Sequence, residues 1–450
     1  MLQRHVINHR QVAWLVGGVL MTGGMIGLYQ SVVRVSRVDA WSFQIIPIIY
    51  AVLIAYVLFE LGHAFPGKNL FEILFLVCGK WVGGFINLIL LLYIWMILVI
   101  DVKGLSYFIQ ASLLPQTPLE VILLVFVLLM MSYSTLEVTA RVNEIFFPMN
   151  VISSFLMLCL LINEYDAQRL DPILSTSLKG IFFGNYMTMG MFGDVLFFGA
   201  FLPVFIQPRL FFAAIKHGVM IVGFTTSLVM LALLMVMGHI IASRLSYPFL
   251  ALVQQIHVTD FLDRVDIFLL SIWFPSFAIK VIVAFLALLT GIGSFAGGTQ
   301  HKPFIPSLGL FLIITALLSF PQVEDVERFV GYSFTSVVLI IQVPLLLFLW
   351  IRARIERRRA GNIKSDFPRG TRYSQFYGAM EWTSNLSILG CLLTVLVGKW
   401  CFEQSMFVSQ YVAVIVMVLL AIALVTSYLQ MQTVNRYLHK TGRKKFGTHT

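Results

Sequence analysis

The sequence predicts an all-α polytopic membrane protein, built as a 5+5 inverted repeat of helices with two additional transmembrane helices at the C-terminal end. Three observations predict it. Hydrophobic residues make up 59% of the 450 and charged residues only 12%, with a mean hydropathy of +0.90. A soluble domain carries roughly a quarter charged residues, so this chain could not cover itself with polar groups in water. Apolar runs near the ~20 residues that cross a bilayer recur twelve times. Two of those runs, at matching places in the two halves, are crowded with glycine.

The first run, 11–33, follows Arg4 and Arg10. It is too long for the apolar part of a signal peptide, and no small-residue cleavage site follows, so it reads as span 1. Spans 2 to 10 are expected at 41–62, 83–112, 119–133, 138–162, 184–206, 214–241, 266–290, 303–320 and 329–351, and the last two at 383–402 and 408–430. The fourth is short. Leu245 to Arg264 mixes apolar and polar residues and reads as an amphipathic helix on the outer surface. The organisation expected is a ten-helix core over 1–352, a basic linker over 353–382, a transmembrane hairpin over 383–430 and a basic tail over 431–450.

A net charge of +10 would suggest nucleic acid for a soluble protein. Here the basic residues sit between apolar runs, as the positive-inside rule expects. With the N-terminus inside, the cytoplasmic segments collect Arg4, Arg10, Lys68, Lys80, Arg141, Arg209, Lys216 and Lys302. They also collect eight Lys/Arg from Arg352 to Arg372 and five from Arg436 to Lys445. The acidic loop of Glu324, Asp325 and Glu327 falls outside.

Chemistry-bearing constellations are missing from the pattern. Cys78, Cys159, Cys391 and Cys401 form no CxxC pair and lie in apolar runs, as small hydrophobes do. His63, His217 and His301 are expected at cytoplasmic loop ends, in solvated or capping roles. No enzyme, metal, cofactor or nucleic-acid partner is expected.

Glycines and intramembrane charges carry the candidate site. Span 1 holds Gly17, Gly18, Gly23, Gly24 and Gly27, and span 6 holds Gly184, Gly190, Gly193 and Gly199. Glycine-broken helices in both halves would offer free backbone groups to a polar ligand at the midplane. The same glycines would also suit small-xxx-small helix packing. The candidate ligand residues are Thr22, Gly23, Gly24, Met25 and Gly27 in span 1, and Gly190, Gly193 and Asp194 in span 6. Asp101 of span 3 and Lys280 of span 8 join them, because an intramembrane charge costs ~2.5–3.5 kcal/mol or more and should face the bundle interior. Asp194 has two readings, a cap on the second half of span 6 or a partner for a ligand's amine. Lys103, two residues from Asp101, cannot face the same partner. Glu60 reads as a solvated helix end. Glu137, Arg141 and Glu144 form one stripe at the start of span 5, through local pairing, or as an inner gate or partner-contact face.

An ordered set of motifs carries a resemblance. It comprises Asp39-Ala40-Trp41, Phe65-Pro66-Gly67-Lys68-Asn69-Leu70-Phe71-Glu72-Ile73 and Gly79-Lys80-Trp81-Val82-Gly83. Glu137 to Arg141 with Glu144 and Pro148, Gly193-Asp194-Val195-Leu196, and Arg264-Val265-Asp266 with Trp273 complete it. Over residues 8–352 it resembles the B subunits of spore germination receptors (GerAB-type), a branch of the amino acid/polyamine/organocation permease superfamily. The resemblance implies a LeuT-like fold, with 1–352 as a permease-like sensing core. It implies the inner spore membrane of a sporulating organism, A-type and C-type receptor subunits and membrane lipid as partners, and a small germinant such as an amino acid. Two departures stand out. The family stops after ten spans, and it tends to place a proline where Gly27-Leu28-Tyr29-Gln30-Ser31 stands here. Three functions remain open on sequence: a germinant receptor subunit, a secondary active transporter of an amino acid or amine, and a membrane scaffold.

The charge pattern makes one topological prediction. Cysteines introduced at Arg358 and Lys444 should label from the same, cytoplasmic face; labelling from opposite faces would overturn both the orientation and the twelve-span count.

Overall fold

Lipid offers no hydrogen bonds, so an apolar run can cross it only by pairing its own backbone groups. The chain answers with helices throughout, and the described residues contain no strand. The computed structural model describes residues 7–23, 28–132, 135–205, 207–256, 265–296, 304–359, 372–402 and 411–446. Its helices are α1 (His9–Gly23), α2 (Leu28–Ser36), α3 (Ile45–Ala64), α4 (Leu70–Ser112), α5 (Leu119–Ser132), α6 (Leu136–Leu160), α7 (Leu178–Phe192), α8 (Pro208–Ala242), α9 (Pro248–Val253), α10 (Val265–Ala296), α11 (Ile305–Leu318), α12 (Val323–Arg328), α13 (Phe334–Arg359), α14 (Arg372–Phe402) and α15 (Val412–Phe446).

Among the described residues, nine helical stretches are long and apolar enough to cross a membrane. The shorter apolar helices α5 and α11, and span 1, whose described residues are α1 and α2, account for the remaining runs. Large apolar side chains such as Ile145, Ile152, Leu310, Ile340, Leu393 and Val414 face outward. In water such a surface would aggregate; in a bilayer it is the lipid contact. Trp81, Trp382 and Trp400 are also exposed, the residue type that favours the membrane–water boundary.

Each half inserts a short helix between its second and third crossings. In the first half, α4 starts at Leu70, well before the apolar run at 83–112, because Asn69 and Glu72 form a capping box there. Residues 70–78 then turn back at Gly79, whose φ of +76° strains any residue with a Cβ. Gly83 permits the fold-back, since a Cβ there would lie 2.6 Å from the Leu74 carbonyl oxygen. Asn87 Nδ2 donates to the Phe71 carbonyl at 3.0 Å and pins the turned segment. In the second half, the straight part of α8 stops at Gly238 (φ +71°), and α9 lies before α10. Thus α9 covers only part of the amphipathic stretch expected at 245–264, and 257–264 lies outside the described residues.

Of the crossings, α10 is the most enclosed by protein. It packs against α1, α4 and α6, while α1 also meets α8. The C-terminal pair α14–α15 leans on α8 and α3. Its helices extend beyond the expected hairpin, beginning at Arg372 and running to Phe446.

The pair covers polar groups that the sequence reading left in solvent. Because α8 starts at Pro208, earlier than the run at 214–241, Lys216 and His217 lie two turns inside it. Lys216 is fully buried and donates to Asn385 Oδ1 of α14 at 2.7 Å. His217 Nδ1 and Ser427 Oγ of α15 are hydrogen-bonded at 3.0 Å. At the other end of α14, Lys399 donates to the Leu174 carbonyl at 2.7 Å. That loop is in turn held by the Asp39 carboxylate, which accepts from the Leu174 and Thr176 backbone N–H groups.

Removing α14 and α15 therefore uncovers a lysine and a histidine. A chain ending after Arg359 should reach the membrane at several-fold lower abundance than the full chain. Adding Lys216→Met and His217→Leu to the short chain should restore part of it, as quantified by immunoblot of membrane fractions.

Candidate functional site

One of the two glycine-rich spans, span 6, changes character near its middle. In span 1, α1 ends at Gly23 and α2 begins at Leu28. Thr22 and Gly23 form the end of α1, whereas Gly24, Met25 and Gly27 lie outside the described residues. In span 6, α7 ends at Phe192 and the chain tightens into a 3₁₀ helix over Gly193–Val204. Twelve residues is long for this geometry, whose runs seldom exceed 3–4 residues and often mark a hinge when they fall mid-helix.

The transition is held by α13. Thr335 Oγ1 accepts from the Gly190 N–H at 3.3 Å and donates to the Met187 carbonyl at 2.8 Å. Gln342 Nε2 donates to the Gly193 carbonyl at 3.0 Å and to the Tyr93 hydroxyl at 2.8 Å, and its Oε1 accepts from the Tyr50 hydroxyl at 2.7 Å. Gly190 and Gly193 thus face α13 at close range. A Cβ at Gly193 would lie 2.9 Å from Gln342 Oε1, and one at Gly190 2.7 Å from Thr335 Oγ1.

At the start of the 3₁₀ segment, three intramembrane charges meet. Lys280 Nζ lies 2.9 Å from both carboxylate oxygens of Asp101 and 3.1 Å from Asp194 Oδ2. All three side chains are buried. Asp194 Oδ1 and Asp101 Oδ2 have no hydrogen-bond partner among the described residues. The structure therefore joins Asp101, Asp194 and Lys280 from three helices into one cluster. Toward the Leu70 end of α4 lies an apolar pocket whose wall includes Leu90, Tyr93, Ile94, Leu196 and Ala287. Lys103 is turned elsewhere, 3.4 Å from the Leu317 carbonyl and over the Tyr107 ring. Tyr107 holds the same loop through the Phe320 and Pro321 carbonyls.

At the opposite end of the bundle, the stripe divides. Arg141 pairs with Glu137 on its own helix, but Glu144 accepts from Arg10 at 3.0 Å and Gln11 at 3.1 Å, tying α1 to α6. Glu60 is not the solvated end the sequence suggested. It is buried and pairs with Arg357 of α13 at 2.7 Å, because α13 continues past the apolar run. Three residues here escaped the sequence reading. Gln342 was detectable as a lone amide in an apolar run; Tyr50 and Tyr93 gave no signal, because tyrosines are ordinary in membrane helices. Among the described residues no group of His, Cys, Asp and Glu is arranged to hold a metal ion.

A family model described as "Spore germination protein" matches residues 6–350. Spore germination protein YndE of Bacillus subtilis (strain 168) is 24% identical over 357 residues, covering 76% of this chain and 95% of that protein. Spore germination proteins A2 and B2 of the same organism are 22% and 21% identical, covering 76% and 78% of this chain and 94% and 98% of their own lengths. Among solved structures, Mhp1, a nucleobase-cation-symport-1 family transporter in a closed conformation with bromovinylhydantoin bound, superposes with a TM-score of 0.54 at 12% identity. That match covers 96% of this chain and 93% of Mhp1. The fold is thus LeuT-like, and the match to Mhp1 takes in most of the C-terminal pair, which lies beyond the residues that the family model matches.

Breaking one member of a buried charge cluster costs about 3–5 kcal/mol, because it strands the partners. Lys280→Met should therefore lower the thermal stability of the purified protein severely or abolish its accumulation. Adding Asp101→Asn and Asp194→Asn should recover most of the loss, as read by thermal unfolding in detergent.

Proposed function

From the premise that this chain belongs to the spore germination protein family, we propose that it is the germinant-sensing, permease-like subunit of a receptor in the inner spore membrane. A small germinant, an amino acid in this reading, binds at the glycines of span 1 and where α7 passes into the 3₁₀ segment of span 6. One observation carries the reading: the buried Asp101–Lys280–Asp194 cluster gathers three charges beside the change in span 6, in a membrane interior where each is costly. Charges of both signs suit a zwitterion.

Sensing then requires only that the germinant prefer one of two packings of the bundle, by the margin of its differential affinity. The Arg10–Glu144 and Arg357–Glu60 pairs tie the same end of the bundle through α1, α6, α13 and α3. They are the contacts that a rearrangement of those helices would break. A-type and C-type subunits are the partners in this reading, with both termini cytoplasmic.

The test is made in spores that carry this chain as their only B-type subunit. Gly24→Val should abolish the germination response to amino acids while the subunit remains at normal abundance. A variant that disappears from the membrane would assign Gly24 to helix packing instead. Proteoliposomes of the full chain alone should take up no labelled amino acid; concentrative uptake would make the protein a secondary transporter.

A further inference from the structure

The cluster does not balance its charge. Asp101 and Asp194 bring two carboxylates, and Lys280 a single ammonium. The titratable groups facing it are Tyr93 of α4 and, through Gln342 of α13, Tyr50 of α3. Neither supplies a positive charge. The other helices packed around it carry their charges toward their ends: His9 and Arg10 on α1, Glu137, Arg141 and Glu144 on α6, Lys179 on α7, and Arg352 onward on α13. Lys103, two residues further along α4, is committed to the Leu317 carbonyl.

Lys280 leaves one oxygen of each carboxylate without a hydrogen bond: Asp101 Oδ2, which still lies 2.9 Å from the ammonium, and Asp194 Oδ1. Asp194 is 1% exposed, and its Oδ1 has no partner among the described residues. A buried acceptor oxygen without a donor is expensive, and one belonging to a surplus negative charge more so.

We propose that this cluster is a binding site for one exchangeable monovalent cation, a proton or an alkali metal ion, received at Asp194 Oδ1. Asp101 serves as the permanent counter-ion of Lys280, and Asp194 as the carboxylate that takes the second positive charge. The site is thereby neutral when loaded and carries one negative charge when empty. Because it concerns the chain without any germinant, the inference stands whether or not the sensing role does.

The experiment measures Tm of the full chain in detergent across pH, in choline chloride and again with sodium or potassium chloride at matched ionic strength. In choline the wild type should lose several degrees of Tm as pH rises from acidic to alkaline. Asp194→Asn leaves one carboxylate and one ammonium, already neutral, and should show a flat profile that meets or exceeds the wild type at alkaline pH. If the occupant is an alkali ion, sodium or potassium should restore the wild-type Tm at alkaline pH and leave the variant unchanged; if it is a proton, neither salt should. Parallel pH and salt profiles for the two proteins, or a variant less stable by a constant amount under every condition, would overturn the proposal.

Discussion

Lys280, Asp101 and Asp194 come from three well-separated stretches of chain, and none tolerates burial in an apolar bundle alone. An ion stripped of water in a membrane interior is stable only with its counter-charge at contact distance. That requirement fixes α10 against α4 and against the 3₁₀ half of span 6 more narrowly than apolar packing could. Hydrophobic contacts slide at little cost, whereas a 3 Å ion pair does not. The central position of α10 follows, because its lysine must reach two neighbours at once.

The change of geometry at Gly193 depends on the same region. A helix that passes from α to 3₁₀ shifts its hydrogen-bond ladder by one residue and leaves backbone groups to be satisfied from outside. Thr335 and Gln342 of α13 do this, Thr335 as both acceptor and donor and Gln342 through an amide shared with Tyr93. Gly190 and Gly193 are needed because these partners approach closer than a Cβ allows. Packing glycines and ligand-site glycines are thus not exclusive descriptions of span 6. The close approach of α13 is what supports the altered backbone beside Asp194.

The C-terminal pair is tied to the core by polar contacts at both ends, Lys216–Asn385 and His217–Ser427 at one and Lys399–Leu174 at the other. The Bacillus relatives align over nearly their full lengths yet cover only about three quarters of this chain. Lys216 therefore makes the pair more than an appendage: an ammonium two turns inside α8 needs the amide that α14 provides. At the other end, Asp39 holds the loop to which Lys399 bonds, so the pair reaches the start of span 2 without touching the charge cluster.

Composition and run length by themselves determined the solvent, the class and the near-complete set of crossings, because lipid imposes backbone pairing on any run that spans it. Glycine density located where span 6 changes, and the cost of intramembrane charge singled out Asp101, Asp194 and Lys280 one at a time. What those charges do was decided only in three dimensions. Asp101 and Lys280 are 179 residues apart, and nothing local in a sequence encodes which helix faces which. The same reason hid Gln342 with its two tyrosines, the Arg10–Glu144 and Glu60–Arg357 pairs, and the burial of Lys216 and His217. Periodicity and composition report the solvent a segment prefers. Partnership between polar groups inside a membrane is a property of how helices pack, and only the tertiary structure assigns it.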